Sequence, residues 1–150
     1  MKINDKLIEL YKNNKKDEVI KYCNNLYKKS SLYLEELQSN EYYWEECAKH
    51  LCNFAILGAL RNKKTETSNV IVIARNVLVE ALINDEILNK NKTKDKLEIE
   101  ELEKAFNSVR QNHSVKMGII SEGIKLLWCL YKMDSNSMKK EVFLNYDVII

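Results

Sequence analysis

A chain with no proline and only three glycines in 150 residues lacks almost every residue on which tight turns and sheet edges depend, and contains few of the residues that break helices. The expected fold is therefore all-α: one domain over residues 1–150, built as a bundle of about six or seven helices. A chain of this length can enclose one hydrophobic core. Hydrophobic residues at 45% and charged residues at 31% suit a globular protein better than a disordered one. No apolar run reaches the ~18 residues that a membrane span requires. The first fourteen residues, MKINDKLIELYKNN, hold no continuous apolar stretch of the secretory kind, so a cytoplasmic location is expected. In that compartment Cys23, Cys47, Cys52 and Cys129 would stay reduced, as small core residues.

Helix boundaries are marked by Ser, Thr, Asn and Asp, whose side chains accept from first-turn amides. Asn4 or Asp5 is expected to open a helix to about Lys12, and Asp17 a second to Lys28. The SNEY stretch at 39–42 leads into a long helix to about Arg61. Thr93 or Asp95 opens an amphipathic helix with Leu97, Ile99, Leu102, Phe106 and Val109 on its apolar side, and Ser114 one that runs to Met133. The segment 89–95 reads as a mobile linker. Residues 134–150 read as a tail, with one short helix followed by an extended end.

The run VIVIARNVLVEALI, residues 70–83, is the most apolar in the chain. Drawn at 100° per residue it forms a helix whose polar positions, Asn69, Asn76, Glu80 and Asn84, share one stripe. This predicts a central, nearly enclosed helix near residues 68–84. Arg75 lies off that stripe, between Ile71, Val72, Leu78 and Val79. A guanidinium taken out of water needs a partner. An internal carboxylate such as Glu35, Glu45 or Glu46 is the expected one, with a ligand or an acidic partner surface as the alternatives.

Cys47 and His50 stand on one helix face with Glu46. They make only half of a zinc site, so no metal is expected and they read as a packed thiol and a surface histidine. No phosphate-binding glycine loop, nucleophile elbow or spaced carboxylate pair is present, and neither a catalytic residue nor a cofactor is expected. Net charge is +2 and only three of the 24 basic residues are arginine, which argues against a nucleic-acid partner in spite of Lys12, Lys15, Lys16, Lys28 and Lys29 near the start.

The pair Arg75-Asn76, and the stretch SVRQNH in which Arg110 precedes His113, resemble the Arg-then-His arrangement of the helical HEPN ribonucleases. The resemblance implies an RNA-cleaving alternative with Arg75, Asn76, Arg110 and His113 at its site. The Arg110–His113 spacing is shorter than that family's, and Glu80 stands where a histidine would follow Arg75.

Tyr42, Tyr43 and Trp44 in succession cannot all face one core, and exposed aromatics are enriched at interfaces. Val148, Ile149 and Ile150 are unusually apolar for a segment of this kind and suit either docking on the chain's own core or addition to a partner. The expected function is that of a non-enzymatic helical protein-binding module, an adaptor, inhibitor or immunity-type protein. Its partner-binding residues would be Arg75, Tyr42, Tyr43, Trp44, Val148, Ile149 and Ile150. The expected partner is another protein, or a second copy in a homo-oligomer, with no membrane involved.

Overall fold

The computed structural model describes residues 1–30, 42–62, 69–89, 93–107 and 112–150, with backbone alone at 42–44. The described residues form seven α-helices: α1 (Ile3–Lys12), α2 (Lys16–Lys29), α3 (Tyr42–Asn62), α4 (Val70–Ile83), α5 (Lys96–Phe106), α6 (His113–Met133) and α7 (Lys140–Phe143). A single 3₁₀ turn, Asp85–Ile87, follows α4, and no strand forms among the described residues. None of these helices is long and apolar enough to cross a membrane.

Helices α3, α4 and α6 pack against one another, α5 lies along α3, and α1 with α2 closes one side. The apolar run expected to form a central helix does so, with Ala74, Leu78 and Ala81 fully buried. Its enclosure is incomplete. Val72, Ile73 and Val77 are half-buried, and Ile83 stands out at 84% exposure. Gly123 lets α6 approach closely, since a Cβ there would lie 3.2 Å from Leu78 Cδ1 and 3.5 Å from Cys52 Sγ.

The caps differ from expectation in a way that ties the chain together. Helix α1 starts at Ile3, and its acceptor is neither Asn4 nor Asp5 but Asp134, which takes Ile3 N–H at 2.7 Å and Asn4 N–H at 3.1 Å. A carboxylate at a helix start also opposes the positive end of the dipole. Asn4, inside α1, turns its side chain outward and accepts Val70 N–H at 2.8 Å. Asn69 accepts from Ile71 and Val72, so every first-turn amide of α4 has an acceptor. Helix α2 begins at Lys16 without a side-chain cap, and Asp17 falls inside its first turn. Asp95 caps α5 as expected, held by Lys16 at 2.7 Å, while Asn112 in place of Ser114 caps α6. Of the 89–95 segment, residues 90–92 lie outside the described residues, and Asp95 N–H is bound to Thr93 Oγ1.

Candidate functional site

The chain's last eleven residues turn back across α4 and are held there by two adjacent side chains of that helix. Arg75 has no exposed surface. Its Nε donates to Phe143 O at 2.8 Å, its Nη2 to Asn145 O at 2.6 Å, and its Nη1 to Val148 O at 2.6 Å and Asn76 Oδ1 at 2.8 Å. Asn76 completes the clamp: its Nδ2 donates to Ile150 O at 2.9 Å and its Oδ1 accepts Ile150 N–H at 3.1 Å. No carboxylate among the described residues pairs with Arg75. Neither Glu45 nor Glu46 pairs with Arg75, since both face Lys49, and Glu35 lies outside the described residues. Main-chain carbonyls fill the role because the turns after α7 leave several of them without helical partners, and a planar fork with five N–H groups spans acceptors along different directions. The cation has no adjacent counter-ion among the described residues, and its burial lowers the guanidinium pKa.

Below the clamp lies an aromatic floor. Phe143 is fully buried, its ring 5.5 Å from Trp128 and 5.3 Å from Tyr131 between centroids, with the Arg75 guanidinium 5.9 Å above it. Leu144 and Tyr146 also pack against the core, half-buried, whereas four other apolar side chains of the tail stand outward: Val142 is 45% exposed, Val148 40%, Ile149 54% and Ile150 41%. Four of the predicted residues, Arg75, Val148, Ile149 and Ile150, are thus brought into one place, and Asn76 joins them. The side chains of Tyr42, Tyr43 and Trp44 lie outside the described residues, as does Arg110. His113 is at the start of α6 with its side chain 75% exposed, 3.8 Å from Asp85, and shares no partner with Arg75.

Sequence reasoning missed a polar seam between α3 and α5. Glu98 and Glu101, both buried, project from α5 into α3. Arg61 grips Glu98 with two parallel bonds of 2.9 and 3.1 Å, and Gly58 leaves the room that the carboxylate uses. Glu101 accepts from Asn53 at 3.1 Å and meets His50 Nδ1 at 2.5 Å, while buried Tyr27 donates to Asn53 Oδ1 at 2.6 Å. His50 is therefore no free surface histidine. The signal available was the i, i+3 spacing of the two glutamates opposite basic residues on another helix. No group of His, Cys, Asp and Glu among the described residues could hold a metal ion.

No family model, curated protein or solved structure matches this chain. Its cysteines supply no nucleophile: all four are buried, burial pushes the Cys23 thiol up to about 12, and Cys52 is raised well above its ordinary value.

One buried acid lies beside the tail. Glu122 of α6 is buried, and its Oε2 accepts no hydrogen bond among the described residues. Burial raises its carboxyl pKa from the ordinary 4.5, Lys125 pulls the other way, and Glu45 adds to the rise. Burial raises the Tyr146 hydroxyl pKa, and the Glu122 charge adds to the rise. A carboxyl whose folded pKa lies above its unfolded one stabilises the fold fully only below about pH 4.5, and that contribution is lost as the pH climbs through the raised value. Glu122→Gln is expected to match the wild type in urea unfolding at pH 4. At pH 7.5 it is expected to be more stable by about 1 kcal/mol, because the amide carries no charge to be desolvated. Equal stabilities at both pH values would contradict this account.

Proposed function

We propose that this chain is a non-enzymatic protein-binding module whose working surface is the C-terminal segment clamped on α4. One observation carries the reading. Val142, Val148, Ile149 and Ile150 expose apolar side chains from a single short segment, and the main chain of that segment is fixed by Arg75 and Asn76. Apolar groups held in place before binding lose little conformational entropy when a partner covers them. Arg75, fully buried, serves this surface as a positioning residue, while Ile149 is a contact residue.

Ile149→Asp is the direct test, because a half-exposed side chain outside the clamp can change without disturbing the fold. Its thermal stability is expected to stay within about 0.5 kcal/mol of the wild type. Affinity capture from the native host, with both proteins as bait, is expected to recover a protein with the wild type that the variant loses. An unchanged set of captured proteins would refute the reading.

The His50–Glu101 pair favours one enzymatic alternative, because a histidine held by a buried carboxylate is the usual frame of acid-base chemistry. A helical ribonuclease would place its proton transfer there and not at His113. The binding reading expects no cleavage when the purified chain is incubated with RNA, and cleavage that disappears in His50→Gln would establish the alternative.

A further inference from the structure

The clamp reads main chain. Of the tail groups it holds, Phe143 O, Asn145 O, Val148 O, Ile150 O and Ile150 N–H all belong to the backbone, and the Phe143 ring is the tail side chain seated among Trp128 and Tyr131. Such a cleft does not distinguish the chain's own tail from an identical tail supplied by another molecule. What favours the chain's own is the tether. Asp134 is fixed to α1 and Asn136 Nδ2 to Tyr131 O, which leaves Ser137 to Lys139 as the pivot between the bundle and the docked segment. Just before that pivot Ser135 adopts φ 57, a left-handed conformation uncommon for a residue other than glycine. A short connector under such constraint is the setting in which identical elements change places between molecules.

We propose that the Arg75–Asn76 cleft also accepts residues 140–150 of a second copy, giving a dimer with exchanged tails. This deepens the binding reading above by naming one occupant of the clamped site. In the native chain the tether holds its own tail at an effective concentration in the millimolar range, so the closed monomer dominates in dilute solution. Shortening the connector removes that advantage, because each deleted residue takes away about 3.5 Å of reach.

The test is light scattering on the chain beside a variant lacking Ser137 and Lys139, the two exposed residues of the connector. The wild type is expected at monomer mass, the shortened chain at twice that mass, and the shortened chain carrying Arg75→Ala back at monomer mass. A shortened chain that stays monomeric, or a dimer that survives Arg75→Ala, overturns the proposal. A second measurement does not depend on the deletion variant folding. Two differently tagged wild-type chains, refolded together from urea at high concentration, are expected to co-purify, and excess synthetic peptide of residues 140–150 to suppress this. Failure to co-purify, or co-purification indifferent to the peptide, also overturns it. Ile149 takes no part in the clamp's hydrogen bonds, so loss of a foreign partner in Ile149→Asp and loss of dimers here are separate outcomes.

Discussion

Arg75→Ala is expected to destabilise the protein by about 3 kcal/mol in urea unfolding and to strip hydrogen-exchange protection from the described amides of residues 143–150. A hydrogen bond to a charged donor contributes about 1.5–3 kcal/mol, so three lost carbonyl acceptors would sum to more than this. Two effects reduce the sum. The detached tail recovers water at its carbonyls, and the unfavourable burial of a cation disappears. Arg75→Lys should recover less than half of the loss, because an ammonium is a point donor and cannot span carbonyls that lie along three directions. Arg75→Ala with wild-type stability and unchanged exchange across the tail would remove the clamp from this account.

Phe143→Ala is expected to cost about 3–4 kcal/mol, in the range for truncating a buried aromatic ring. The ring has no exposed surface and touches Trp128, Tyr131 and the Arg75 guanidinium at once. Its loss and the loss of Arg75 release the same segment. The double variant should therefore be only slightly less stable than the worse single variant, giving a coupling of about 2 kcal/mol in a double-mutant cycle. Additive costs would mean that ring and guanidinium stabilise separate parts of the molecule.

Much of this architecture was legible in the sequence because it depends on local periodicity. The apolar run gives α4 its bounds of Val70–Ile83, and Lys12 ends α1 as expected. What escaped is non-local. No pattern near Ile3 points to an acceptor 131 residues away. The amphipathic pattern of α5 puts Leu97 and Ile99 on the apolar side, yet both are half-buried, and the stripe facing α3 is Glu98, Glu101, Leu102, Ala105 and Phe106. Two carboxylates turn inward only because Arg61 and His50 meet them there, which a single helix cannot reveal. The candidate site was half legible. Arg75 stood out as a cation in an apolar helix and the tail as an apolar segment, but their union was hidden, since main-chain carbonyls leave no trace in residue identity.

The capping of α1 by Asp134, and of α4 by Asn4 in turn, bears on how the molecule is made. During synthesis α1 emerges well before Asp134, so the group that completes its opening turn is made 131 residues after Ile3. The opening turn of α1 is therefore held in suspense until Asp134 has been made. Ribosome-bound chains halted before residue 134 should remain open to protease at both places, and chains halted after the tail has emerged should close.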